Sequence, residues 1–128
     1  MRAFLFFSIT FFILLSCAKV EGPGGSSAII GKVRAEVYDG ANNLINEYDI
    51  PKEDVYLIYG EENSFYDDDI ETSYDGTFRF DYLERGNYQL FVYSKCVTCP
   101  SGKEIVLVDV EIPSKRSNID VGTIIIRK

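Results

Sequence analysis

From Ile29 onward, apolar and polar residues alternate in short runs, and Gly, Asn, Asp and Pro break those runs at close intervals. A period of two puts every second side chain on the same side of an extended strand, so such a chain must pair strands and bury one face of each. Ile29, Gly31, Val33, Ala35 and Val37 share one face, with Lys32, Arg34, Glu36 and Tyr38 on the other, ahead of a turn at Asp39-Gly40-Ala41-Asn42-Asn43. Val55, Leu57 and Tyr59 alternate with Tyr56 and Ile58. Phe78 and Phe80 alternate with Thr77, Arg79 and Asp81 after the turn signal Asp75-Gly76. Tyr88, Leu90 and Val92 alternate with Gln89, Phe91 and Tyr93 after Arg85-Gly86-Asn87. Val106, Val108, Val110 and Ile112, then Val121 to Ile126, complete the series. No stretch after Leu15 carries a sustained helical stripe, and β-branched and aromatic residues fill the runs. The pattern predicts an all-β protein with one antiparallel β-sandwich of about seven strands over residues 29–128.

At 128 residues the chain has room for one such domain and no second one. Twenty Asp and Glu outweigh thirteen Lys and Arg, and the net charge of −7 argues against nucleic acid, whose phosphates need a basic counterpart. There is no His, so acid–base, Ser-His and zinc-His chemistries lose their usual central member. The expectation is a protein that is not an enzyme, with no catalytic residues, no cofactor and no resident metal.

The first residues describe a route out of the cytoplasm. Met1-Arg2 is a short basic start, and Ala3 to Leu15 is an uncharged apolar run. As a helix this run is only ~20 Å long, short of the ~30 Å hydrocarbon core, so it reads as a signal segment and not as a permanent span. Leu14-Leu15-Ser16-Cys17 resembles the lipobox of bacterial lipoproteins, with a Leu three before the cysteine and a small residue just before it. The resemblance implies a signal peptide over 1–16, Cys17 as the lipidated (palmitate-bearing) N-terminus, and attachment to the membrane through acyl chains. An acidic chain gains nothing from anionic headgroups, whereas each buried CH₂ of an acyl chain contributes ~0.8 kcal/mol. Residues 17–28, rich in Gly and Ser, read as a flexible tether spanning about 18 Å. Lys19 and Glu21 partly match the export signal after the lipid cysteine of small lipoproteins of the Bacteroidota, which implies the cell envelope, the outer membrane and display at the surface.

A second resemblance covers nearly all of 29–128. Gly31-Lys32-Val33, Val55-Tyr56-Leu57, Thr72 to Phe80 and Leu83 to Leu90 look like the carboxypeptidase regulatory-like, transthyretin-like (prealbumin-like) and Cna-B-like group, above all in T-x-x-D-G-x-F-x-F followed by L-x-x-G-x-Y-x-L. These are fold-determining residues: Asp75-Gly76 suits a turn that needs positive φ, and Tyr88 should pack inside the sandwich with its hydroxyl against a loop. The group hosts many functions on one scaffold. Some Cna-B-like members form a Lys–Asn isopeptide bond. Here Lys32 is predicted to point away from the core, and the last predicted strand lacks Asn, since Asn118 precedes it.

Three constellations remain. Cys96-Val97-Thr98-Cys99 leaves an even pair once Cys17 is set aside, and in an envelope compartment a disulfide is the default, with free thiols, a redox couple or a metal half-site as alternatives. Asp67-Asp68-Asp69, with Glu71 and Asp75, offers oxygens of the kind calcium prefers, but without EF-hand spacing; an acidic edge that discourages aggregation is the simpler reading. The outward set Tyr56, Ile58, Phe91 and Tyr93, with Phe65, Tyr66, Tyr74 and Tyr82 as further candidates, either covers the sheet across strands or forms a surface for sugars or a protein partner. Ile124 to Lys128 is expected to end the chain on its last strand, making any partner a separate molecule. The function expected is that of a lipid-anchored, noncatalytic binding or structural module with a protein or glycan partner. A glycan-binding surface lipoprotein using Tyr56, Phe91 and Tyr93 is the alternative, followed by a redox or metal carrier using Cys96 and Cys99.

Overall fold

The computed structural model describes residues 21–60 and 65–128; the signal segment, Cys17 and the start of the tether lie outside them. The strands are β1 (Pro23–Tyr38), β2 (Leu44–Asp49), β3 (Asp54–Tyr59), β4 (Asp68–Glu71), β5 (Thr77–Leu83), β6 (Gly86–Lys95), β7 (Lys103–Ile112) and β8 (Asn118–Arg127). Among the described residues this makes eight strands, where about seven were expected. The alternation did not mark β2 or β4, because neither buries a side chain against the core.

Two sheets pack face to face. In the first, β1 pairs with β5 along its first half and with β2 along its second, while β8 runs parallel to β1 on the opposite edge. The second has the order β4-β3-β6-β7, antiparallel throughout. The parallel β1–β8 pair departs from a purely antiparallel sandwich. Hairpins impose opposite directions only on neighbours within one sheet, and the link from β7 to β8 crosses between sheets.

The core is what the period of two demands. Ile29, Val33, Ala35, Val55, Leu57, Phe78, Phe80, Leu90, Val92, Val110, Ile112, Ile124 and Ile126 are all buried, and they come from the inner faces of both sheets. Gly76 takes φ +81° in the turn before β5, and an added Cβ there would come within 2.8 Å of the Val33 carbonyl oxygen, so only glycine fits.

The expected tether is corrected from Glu21 onward. Pro23 to Ala28 is already strand, and the segment before Ile29 is tied down along its length. Gly22 donates its N–H to the Tyr88 hydroxyl at 2.9 Å and accepts from the Glu84 N–H at 2.8 Å. Ser26 and Ser27 accept from the N–H groups of Arg116 and Ser117, each at 3.1 Å, and the Ala28 N–H reaches the Ser117 carbonyl at 2.9 Å. Small residues signalled close backbone approach, not slack: a Cβ on Gly25 would lie 2.0 Å from the Leu83 carbonyl oxygen.

Tyr88 sits where the family resemblance placed it. It is 1% exposed, and its hydroxyl donates to the Glu84 carbonyl at 2.6 Å while accepting from Gly22. Burial pushes its phenol above the ordinary range, as it does for Tyr59, whose ring meets that of Tyr88 edge-on at 6.0 Å. The folded state favours the neutral phenols, so their contribution is complete below the unfolded pKa near 10 and is lost as pH rises through the higher folded values. Ultraviolet difference titration should show late-ionising phenols that appear together with unfolding, and Tyr88→Phe should remove one of them. Titration of every phenol near pH 10 with the fold intact would contradict the burial.

Lys32 faces outward as expected, half-exposed and 3.3 Å from the Asp49 carboxylate. Asn118 proves to be the first residue of β8, because the strand begins three residues before Val121. It is level with Ala28, whereas Lys32 is level with Thr123, so the two side chains sit apart along the sheet.

Candidate functional site

The outer face of the second sheet brings together the predicted aromatic residues. Leu57, Leu90 and Val92 point inward, so Tyr56, Phe91 and Tyr93 must point out. Register sets Tyr56 opposite Phe91, Phe91 opposite Leu107, and Tyr93 opposite Ile105. The Tyr56 and Phe91 rings stack at 4.8 Å with 13° between planes, and Tyr93 meets both edge-on, at 5.6 and 5.7 Å. Tyr66, from the segment before β4, closes over Tyr56 at 4.7 Å. Phe91 and Ile58 are buried on this face, while Tyr66 and Tyr93 stay open to solvent. Cross-strand covering and an exposed platform thus coexist: Phe91 is the floor and the tyrosines are the surface. Phe65, Tyr74 and Tyr82 are strongly exposed and make no ring contact among the described residues.

Burial first, and then the nearby Asp54 carboxylate, holds the Tyr56 phenol above its usual range. At neutral pH it is therefore a neutral hydroxyl, able to donate and accept hydrogen bonds.

The apolar face extends beyond the residues expected from the sequence. Ile105 and Leu107 on the edge strand β7 are about half exposed and continue the surface beyond Tyr93 and Phe91. Their signal was present: if Val106 and Val108 point in, Ile105 and Leu107 point out. Above Tyr93 the same column ends with Lys95 directly opposite Lys103. A cavity of about 420 Å³ opens there, lined by Lys52, Asp54, Tyr56, Tyr93, Lys95 and Lys103 among others. The Lys103 ammonium stands 5.8 Å from the centre of the Tyr93 ring.

A larger depression of about 720 Å³ lies on the other sheet, around Ile30, Lys32, Phe78, Arg79 and Asp120. Among the described residues its one aromatic lining residue, Phe78, is 3% exposed, and its cations are already paired, Lys32 with Asp49 and Arg79 with Asp81. Among the described residues it offers no free ring and no unpaired cation.

Cys96 and Cys99 form the expected disulfide at the tip of the β6–β7 hairpin. Hydrogen bonds from Cys96 N–H to the Gly102 carbonyl, and from Gly102 N–H to the Cys99 carbonyl, close the same turn. The bridge thus stiffens the loop that carries Lys95 and Lys103. The Glu104 carboxylate lies within 4.8 Å of both sulfurs, a set able to hold a metal only after reduction and only with a further ligand. Asp68 and Asp69 belong to the edge strand β4 and alternate along it. Asp67 instead accepts the Tyr59 N–H at 2.7 Å, and among the described residues the three carboxylates do not converge on one point. The Asp75 carboxyl is held below the usual carboxylate range by hydrogen bonds from the hydroxyl and N–H of Thr77, which makes it part of its turn.

No family model matches the chain, and no curated protein matches it. Among the solved structures similar to it are two of low identity. One is a Pseudomonas aeruginosa protein proposed to bind carbohydrate, with 11% identity, a TM-score of 0.49, and coverage of 84% of this chain and 92% of that one. The other is a minor pilin of Streptococcus agalactiae, with 16% identity, a TM-score of 0.41, and coverage of 80% of this chain and 45% of that one.

Proposed function

We propose that this chain is a noncatalytic binding module of the bacterial cell envelope, anchored through lipid on Cys17, that holds a glycan on the outer face of its second sheet. The observation that carries this reading is the continuous layer of Tyr56, Tyr66 and Tyr93 on a Phe91 floor. Sugar rings present apolar C–H faces edged with hydroxyls, and tyrosine answers both with an apolar body and a polar tip. The turn motifs and the buried Tyr88 support reading the domain as a scaffold of the carboxypeptidase regulatory-like and transthyretin-like kind.

The docked segment changes what lipid anchoring would mean. Glu21 and Gly22 already contact the sandwich, so residues 18–20 alone separate Cys17 from it. The four residue steps from Cys17 to Glu21 span at most about 14 Å. An acyl group on Cys17 would therefore hold the end bearing the β5–β6 and β7–β8 connections close to the bilayer. Lys95 and Lys103 would point away from it.

Retention on immobilised glycans tests the binding role. Tyr93→Ala and Tyr56→Ala should each weaken retention by about tenfold, or ~1.4 kcal/mol. Retention unchanged in both variants would remove the aromatic face from the account.

A further inference from the structure

We infer that the face takes an acidic glycan, with a carboxylate or sulfate seated between Lys95 and Lys103 and a sugar ring lying against Tyr93, which Tyr56 braces edge-on. This rests on the glycan reading above and adds the charge of the ligand to it. Lys95 and Lys103 are direct cross-strand partners on an exposed hairpin. Two like charges in that position repel each other and weaken the pairing unless an anion comes between them. Lys52 lines the same cavity, and none of the three lysines is ion-paired among the described residues. The nearby acid Glu53 is already taken by Lys128 at 2.9 Å, which leaves Asp54 as the unpaired carboxylate in the lining among the described residues. Arg127, stacked over Tyr38 with its guanidinium carbon 4.0 Å from the ring centre, adds positive charge at the rim.

In a chain with twenty acids and thirteen bases, such a cluster runs against the overall balance. The unfavourable pairing and the aromatic floor occupy one column of one sheet, from Phe91 through Tyr93 to Lys95. Lysine ammonium groups are compact charges that suit a carboxylate or a sulfate ester equally. The disulfide at the hairpin tip limits the spread of the two lysines before the ligand arrives, which reduces the ordering cost of binding.

The test is calorimetric titration of the purified protein with hexagalacturonate and with a sulfated carrageenan hexasaccharide, each beside its neutral counterpart, the methyl ester and the desulfated oligosaccharide. At least one acidic oligosaccharide should bind about tenfold more tightly than its neutral form, and added salt should narrow the difference. Lys103→Glu places an acid opposite Lys95, so its melting temperature should hold or rise while the preference for the acidic form is lost. Equal binding of acidic and neutral forms would overturn the charge inference and leave the aromatic face standing. No binding of any of the four up to about 1 mM would overturn both. Hexaglutamate binding as tightly as the acidic glycans would overturn the glycan in favour of an acidic polypeptide.

Discussion

Replacing Leu57 with alanine should destabilise the protein by about 2–5 kcal/mol. Leu57 is fully buried on β3, opposite Leu90 in the register, and belongs to the cluster that joins both sheets. Truncation removes its transfer free energy and leaves a cavity, because a close-packed interior relaxes only in part. With total stabilities of about 5–15 kcal/mol for a domain, the loss would take a large share of the total. Urea denaturation would read it as a lower midpoint at an unchanged slope. Leu107→Ala supplies the contrast: Leu107 is the same residue type on the outer face of the same sheet, 47% exposed, and should change stability by less than about 0.5 kcal/mol. Equal losses at the two positions would mean that the faces have been assigned wrongly.

Tyr88→Phe should cost about 1–3 kcal/mol, although it removes a single oxygen. The ring can stay where it is, but the buried Gly22 N–H and the Glu84 carbonyl lose the hydroxyl that both use. The damage has a predicted location. Without this anchor, Glu21 to Ala28 loses one of its attachments to the β5–β6 turn, so its amides should exchange faster with solvent water and it should be cut sooner by protease. Protection of β3 and β6 should fall only by the global change. A uniform loss across all strands would contradict the idea that the hydroxyl clamps this segment.

The two substitutions touch the parts of the fold that were most and least legible in the sequence. Inward-facing residues such as Val33, Leu57, Leu90 and Ile126 could be read because burial on one face of a sheet imposes a period of two. The Asp75-Gly76 turn could be read because positive φ selects glycine. The segment from Gly22 to Ala28 could not. Glycine and serine next to one another signal slack in a linker and close approach in a sheet alike, and what decides between them is Leu83, Tyr88 and the Ser114 to Ser117 connection, all distant in sequence. The edge strands β2 and β4 escaped for a related reason, since they are held by backbone pairing and carry no inward stripe.

The candidate site divides in the same way. Tyr56, Phe91 and Tyr93 could be placed on one face by alternation alone, but that the rings meet depends on the register of β3 against β6. Tyr66 joins through a fold of the chain before β4, a contact that no local pattern encodes. Lys95 and Lys103 face each other only because the hairpin closed by Cys96 and Cys99 sets them level. A disulfide that spans so short a loop contributes mainly local order, and here local order is what presents two lysines beside a tyrosine.

The central claim is that the outer face of the second sheet is where the ligand sits. Its most direct test is an amide and side-chain NMR titration of the purified protein with an oligosaccharide that it retains. The account predicts shifts confined to residues 54–58, 91–95 and 103–107, with ring-proton changes at Tyr56, Tyr66 and Tyr93. Shifts centred instead on Ile30, Arg79 and Asp120, the depression on the opposite sheet, would contradict it.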